Sequence, residues 1–203
     1  EIDRSLVGSE MCIRDRTMRV AQKLYEAVLI TYMRTDAPSL SKEPINDARG
    51  FINENLGDKY LTNAPKIYSS TENAQEAHEA VRPTNAFLKP QDVLQLSEEE
   101  SKLYKLIWER FVASQLPDAE YLSTSAKIVI EDNTFIARGR ELVFDGFTKV
   151  LKSSSKEEDI LPSLNEGDSI SRKSIDLEQK FTKPPSRYSE AALVRELEKK
   201  GIG

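Results

Sequence analysis

The stretch LYEAVLITYMRTDA, residues 24–37, changes character in its middle. Its first half continues a helical pattern that starts at Thr17. Val20, Leu24, Ala27 and Val28 fall at i, i+4, i+7 and i+8, one face of a helix. The β-branched pair Ile30 and Thr31 weakens that pattern, so the chain is expected to leave the helix near Tyr32. Pro38 marks the break. If the backbone beyond is extended, Tyr32, Arg34 and Asp36 share one side. A phenol, with a pKa of about 10, is a poor nucleophile unless its phenolate is stabilised. A cation two residues away is one such device. Arg34 could grip a phosphate with both arms of its guanidinium while Asp36 orients it. As spacing alone this is a weak signal, and the residues by themselves read rather as a plain, partly buried tyrosine beside a surface arginine.

The composition bounds what surrounds this stretch. The chain has 203 residues, enough for one or two domains with real cores. Its net charge is −5, so no global basic field advertises a polyanion, and any nucleic-acid contact has to be local. One cysteine, Cys12, excludes an intrachain disulfide and a zinc ribbon made by this chain alone. One histidine, His78, excludes any site that needs two imidazoles. No apolar run approaches the roughly 20 residues of a membrane span, and no signal peptide is evident. The expectation is a soluble cytoplasmic protein.

Ser41 is placed as an N-cap with Pro44 in the following first turn, and Ile45, Ala48, Ile52 and Leu56 form a buried stripe closed by Gly57. Residues 57–70 read as loop, and a short polar helix is expected over Glu72–Ala80, ended by Pro83. His78 lies there between glutamates. It reads either as a solvated helix histidine or as a phosphate ligand with Arg82 one turn on. Ser97 and Glu100 have capping-box spacing, with three glutamates in the first turn. Leu103, Leu106, Ile107 and Phe111 are expected to face the core, with Trp108 beside them. Trp108 and Phe111 read as core rather than as platforms for stacked bases.

After Pro117 the period changes from 3.6 to 2. Leu122, Thr124, Ala126, Ile128 and Ile130 alternate with Tyr121, Ser123, Ser125, Lys127 and Val129. A turn at Asp132 and Asn133 leads to a strand over residues 135–138. ELVFDGF (141–147) and SISRKSIDLEQKF (169–181) read as further strands, and LKSSSKEED (151–159) as a connection. Pro184 and Pro185 close this part. A last helix has Ser189 as N-cap, Tyr188 and Leu193 spaced as a hydrophobic staple, and Gly201 at its end. Helices, then strands, then one helix imply a multi-domain α+β chain.

LYEAVLITYMRTDA resembles the active-site segment of bacterial type IA DNA topoisomerases, in the topoisomerase I branch. NAQEAHEAVRPT (73–84), KLYKLIWERFVASQ (102–115), RGRELVFDGFTKV (138–150) and FTKPPSRYSEAALVRELEKKGIG (181–203) resemble later blocks of that family, in family order. Met33 favours the topoisomerase I branch, because the topoisomerase III branch more often carries proline there. The resemblance implies a role for each matched residue. Tyr32 would cut one DNA strand and form a 5′-phosphotyrosine link. Arg34 would stabilise the charge developing on the scissile phosphate. His78 would help hold that phosphate, with Asp36 and Arg82 in support. The bond energy stays in the covalent link, so religation needs no ATP, in keeping with the lack of a phosphate-binding glycine loop. The implied activity is strand passage that relaxes negative supercoils. The partner is single-stranded DNA at the cleavage site, and the full-length enzyme would act as a bacterial, nucleoid-associated monomer.

The resemblance also implies a division of the chain. Residues 17–117 would be the helical, tyrosine-bearing domain, 118–183 part of an antiparallel β arch, and 184–203 the start of a further helical DNA-binding domain. The Mg2+ of the family is held by a toprim domain that this sequence does not contain, so no metal site is expected here and the chain alone is expected to be inactive. Lys183 and Arg187, near Tyr188, could touch a DNA backbone or simply flank a hinge. A non-catalytic DNA-binding module is disfavoured by the net charge; a purely structural domain with a packed Tyr32 is the other alternative. Two positions depart from the family pattern: Val28 stands where glycine is usual, and Ala37 where serine is usual. Residues 1–16 do not resemble the family, and SLVGSEMCIRDR resembles translated adapter sequence. A non-native leader is therefore expected there.

Overall fold

The computed structural model describes residues 4–35, 37–68, 79–152, 160–171, 173–174 and 176–202. Ile13–Pro162 form one compact unit, and Glu1–Cys12 with Ser163–Gly203 group as a second. The elements are helix α1 (Arg4–Glu26), helix α2 (Lys42–Leu56), helix α3 (Glu98–Ser114), strand β1 (Glu120–Ile130), strand β2 (Asn133–Phe144) and helix α4 (Glu190–Lys199). Among the described residues this is an α+β chain with one two-stranded antiparallel sheet.

Helix α1 differs from expectation at both ends. It begins at Arg4 and runs unbroken through Thr17, where the pattern predicted its start. It stops at Glu26, six residues before Tyr32. The stop is a capped C-terminus. The Val28 N–H donates to the Tyr25 carbonyl at 2.9 Å, and the Leu29 N–H reaches back to the Leu24 carbonyl at 2.9 Å. This pair of bonds requires a left-handed residue between helix and exit. Val28 takes that conformation, with φ +59°. Its side chain is 70% exposed, and Ala27 is exposed too, so neither joins the buried face formed by Val20, Ala21 and Leu24.

The core of the first unit lies between α2 and α3. Ala48, Phe51 and Ile52 meet Tyr104, Trp108, Phe111 and Val112. Phe51 packs edge-on against both Trp108, with centroids at 5.2 Å, and Phe87, at 5.7 Å. The capping box of α3 is fully made: the Glu100 N–H donates to Ser97 Oγ and the Ser97 N–H to Glu100 Oε2. Its buried face is rotated from the expected one. Tyr104 is fully buried, while Leu106 faces solvent. Burial pushes the Tyr104 phenol up to about 12, and its hydroxyl donates to the Leu88 carbonyl at 2.8 Å. Gly57 ends α2 as expected, donating to the Ile52 carbonyl at 3.2 Å. Ser41 sits at the N-cap of α2, but its hydroxyl makes no cap bond.

Irregular segments are tied to this core through side chains. Buried Gln115 donates to the Lys66 carbonyl and accepts from the Lys66 N–H, as a strand neighbour would. The Tyr60 hydroxyl donates to Asp145 Oδ1 at 2.6 Å.

Strands β1 and β2 form one long hairpin whose turn is Glu131–Asp132, one residue earlier than predicted, with Ile130 opposite Asn133. Glu131 adopts φ +52°. The expected strand over 141–147 is the end of β2, and the chain then bends into a 3-10 turn at Gly146–Lys149. Gly146 is required there: φ is +47°, and a Cβ would meet the Asp118 carbonyl oxygen at 2.4 Å. The described residues of 169–181 form no strand. A strand needs a partner for its backbone groups, and Leu177 and Phe181 lie open to solvent.

In the second unit, α4 has the expected ends. Ser189 Oγ accepts from the Ala192 N–H at 3.3 Å. Gly201 takes φ +68° while the Ile202 N–H donates to the Leu197 carbonyl. Most of the helix expected over residues 72–80 lies outside the described residues; Glu79 and Ala80 are not helical.

Two substitutions test this account. Val28→Gly removes a left-handed strain of roughly 1–2 kcal/mol, partly offset by the greater freedom of glycine when unfolded. It is expected to raise stability by about 1 kcal/mol, read as a higher urea midpoint at constant m-value. Gly146→Ala is expected to lower the same midpoint, by more than about 1 kcal/mol.

Candidate functional site

Tyr32 is carried on a short backbone rail. Ile30 forms an antiparallel bridge with Pro83. Around it, the Thr31 N–H donates to the Arg82 carbonyl at 2.9 Å and the Thr84 N–H to the Leu29 carbonyl at 3.0 Å. The Thr31 hydroxyl acts in both directions, donating to the Ala80 carbonyl at 3.0 Å and accepting from the Arg82 N–H at 3.0 Å. The Thr84 hydroxyl donates to the Val28 carbonyl at 2.7 Å. The partner segment is itself anchored: the Trp108 indole N–H donates to the Ala86 carbonyl, and Asp47 accepts from the Ala86 N–H. Buried Ile30 seats the rail in the core.

Beyond the rail the chain bends at Met33 and Arg34. Exposure nevertheless alternates. Tyr32 and Arg34 face solvent, Thr31, Met33 and Thr35 are half-buried, and Ala37 is buried. The Ala37 N–H is satisfied by Thr35 Oγ1 at 3.1 Å. Tyr32 is 44% exposed and rests edge-on against Tyr25, with centroids at 5.5 Å. The Tyr25 contact fixes the ring while the hydroxyl keeps no partner among the described residues. Arg34 likewise has no hydrogen-bond or ion-pair partner among them. A phenol and a guanidinium two residues apart thus both face solvent.

Arg82 is placed differently. Its Nε and Nη2 donate to Glu79 Oε2 at 3.2 and 3.0 Å, and its Nη1 to the Pro83 carbonyl. Its side chain is only 17% exposed. The expected placement one helical turn beyond His78 fails, because residues 79–82 are not helical. The guanidinium is engaged in holding the rail's partner segment. Sequence reasoning missed Glu79, which also accepts from the Ser41 N–H at 3.1 Å; only its spacing from Arg82 could have pointed to it. A polar cleft of about 610 Å³ opens here, lined by Glu43, Asp47, Arg82, Thr84 and Asn85. Its carboxylates make it a poor home for a phosphate. His78 and Asp36 lie outside the described residues. Lys183 and Arg187 are exposed in the second unit. Among the described residues no group of three or more His, Cys, Asp or Glu is placed to hold a metal ion, and no helix is long and apolar enough to cross a membrane.

Burial pushes the Glu79 carboxyl up, but hydrogen bonds from Ser41 and Arg82 and the Arg82 charge together hold it below its ordinary 4.5. Its contribution to stability is therefore present above that value and is lost as pH falls through the lower folded one. Glu79→Gln is expected to lower the urea midpoint at neutral pH. The gap from the parent should narrow as pH falls below Glu79's ordinary 4.5 and through its lower folded value, because the parent alone loses the ion pair.

A family model described as DNA topoisomerase matches residues 13–203. DNA topoisomerase 1 of Pseudomonas aeruginosa is 52% identical over 190 residues, covering 93% of this chain and 22% of that protein. The Escherichia coli K12 protein of the same name is 48% identical over 190 residues, with the same coverage. The solved structure of full-length topoisomerase I from Thermotoga maritima superposes with a TM-score of 0.76 at 35% identity, covering 92% of this chain and 31% of that one. The chain spans about a fifth of the length of the curated relatives it matches. An exposed tyrosine and arginine on a rigid rail, within a sequence so matched, place the chain in one family: it belongs to the DNA topoisomerases.

Proposed function

We propose that this chain is the tyrosine-bearing part of a type IA DNA topoisomerase, an isomerase that passes one DNA strand through another and relaxes negative supercoils without ATP. The observation that carries the reading is the exposed, rail-mounted Tyr32 beside an Arg34 that has no partner among the described residues.

The chemistry follows from these groups. The Tyr32 oxygen attacks the phosphorus of a single-stranded segment. A new P–O bond to the tyrosine forms as the P–O3′ bond breaks. The phenol proton passes to a base, and the departing 3′ oxygen takes up a proton as the free hydroxyl. One phosphodiester replaces another, so the reverse attack by the 3′ hydroxyl reseals the strand with no external energy source. Arg34 supplies charge where the equatorial oxygens gain it. His78 would hold the same phosphate, and Asp36 would orient the arginine. Arg82 acts as a positioning residue through the rail rather than on phosphate. Lys183 and Arg187 would contact the DNA backbone. Magnesium, bound by a toprim domain in the whole protein, would help hold the DNA phosphates. The reading divides the chain as 17–117, 118–183 and 184–203, and places the whole enzyme in the bacterial cytoplasm as a monomer.

The test is complementation in trans. This chain is mixed with the amino-terminal toprim part of a related enzyme, magnesium and a labelled single-stranded oligonucleotide, then denatured. A covalent protein–DNA band is expected, absent with Tyr32→Phe and weaker by roughly 10²–10³ with Arg34→Ala. No band from folded, associated parts would overturn the reading.

A further inference from the structure

The hairpin of β1 and β2 has two unlike faces. Residues directly opposite one another share a face. One face carries the pairs Leu122–Glu141, Thr124–Gly139, Ala126–Ala137, Ile128–Phe135 and Ile130–Asn133. Its middle is partly covered: Gly139 is buried, and Ala126, Ile128 and Ala137 are half-buried. The other face carries Tyr121–Leu142, Ser123–Arg140, Ser125–Arg138, Lys127–Ile136 and Val129–Thr134. On it Lys127, Arg138 and Arg140 are all exposed, as are Ser123, Ser125 and Thr134.

This second face holds no carboxylate, in a chain whose acidic residues outnumber its basic ones by 34 to 29. The hairpin's acids are Glu120, at the bulged end of β1 opposite Phe144, Glu131 and Asp132 in the turn, and Glu141 on the opposite face. None of the three cations has an ion-pair or hydrogen-bond partner among the described residues. They stand on successive rungs, Arg140, Arg138, then Lys127, about 7 Å apart at two residues per rung. Arg140 lies with its guanidinium 3.4 Å from the centroid of the Tyr121 ring. The ring occupies the flat face of the guanidinium and leaves its N–H edge free, the edge that grips a phosphate.

We propose that this face of the hairpin binds the phosphate backbone of single-stranded DNA, at a place separate from the Tyr32 site. Arg140 and Arg138 stand in line on β2 with Lys127 diagonally across on β1, a path that suits one phosphodiester chain. The serine and threonine hydroxyls between them suit the same oxygens. No base-edge reader is present, so the surface accepts any sequence. The inference rests on the reading of the chain as part of a DNA-acting enzyme. It does not depend on Tyr32 or on metal.

The experiment measures anisotropy of a labelled oligothymidylate of roughly 20 nucleotides against this 203-residue chain, without magnesium, between about 50 and 200 mM salt. The parent is expected to bind with a steep salt dependence. The triple variant Lys127→Gln, Arg138→Gln, Arg140→Gln should bind at least tenfold more weakly at low salt. Its log–log slope should fall by about 2, at about 0.7 per phosphate contact. A control triple, Lys42→Gln, Lys102→Gln, Lys105→Gln, removes the same charge from α2 and α3 and should keep the slope. Trp108 emission and far-UV dichroism check folding. Should the triple variant unfold, Lys127→Gln alone carries the test, with a slope lower by about 0.7. Equal slopes for parent and hairpin variant, equal losses in the control, or no binding by the parent would overturn the proposal. Loss of the covalent band with oligonucleotide binding retained would instead count against the proposed chemistry of Tyr32.

Discussion

The placement of Tyr32 depends on two hydrogen bonds of one hydroxyl. Thr31 Oγ1 accepts from the Arg82 N–H and donates to the Ala80 carbonyl. Neutral bonds of this kind contribute about 1 kcal/mol each. Here they matter more for position than for energy, because the Ile30–Pro83 bridge is isolated and proline has no N–H to extend it. The restraint continues inward, through Ala86 to the Trp108 indole and to Asp47. Helices α2 and α3 thereby fix a loop, and the loop fixes the tyrosine. Nothing in that sequence of contacts requires Tyr32 to be buried, so its hydroxyl stays open while its backbone is rigid.

Charge is sorted on a finer scale than the net −5 suggests. Carboxylates gather where the backbone favours them, as in the first turn of α3, where Glu98, Glu99 and Glu100 meet the positive end of the helix. Among the described residues, Arg34 and the three cations on one face of the hairpin have no carboxylate partner. A chain can thus repel polyanions on average and still receive one locally.

Much of the fold was legible because it is written in short-range chemistry. The capping box at Ser97, the glycine stops at Gly57 and Gly201, and the period-two run over 120–130 each need only neighbouring residues. The errors share an opposite cause. The end of α1 is set by a left-handed cap at Val28, a residue whose type argues against it. The glycine usual at that position in the family pattern was the available signal. The rotation of α3 that buries Tyr104 and exposes Leu106 is decided by α2 and the 86–88 segment, not by α3 itself. The alternation in 169–181 is genuine as a pattern, but a pattern without a hydrogen-bonding neighbour makes no strand among the described residues. At the candidate site, the resemblance named Tyr32 and Arg34 and the structure brings both to the surface. The service of Arg82 to Glu79 depends on a non-helical turn that spacing alone could not show.

The burial of Trp108 has an optical consequence. It is the sole tryptophan of the chain, it packs edge-on against Phe51, and its indole proton is spent on the Ala86 carbonyl. Its emission therefore reports one thing: whether the segment that carries the tyrosine's partner strand is seated on α3. The second unit, Glu1–Cys12 with Ser163–Gly203, contains no tryptophan and is silent at that wavelength. The protein thus contains a native fluorophore that registers the integrity of the tyrosine-bearing unit alone.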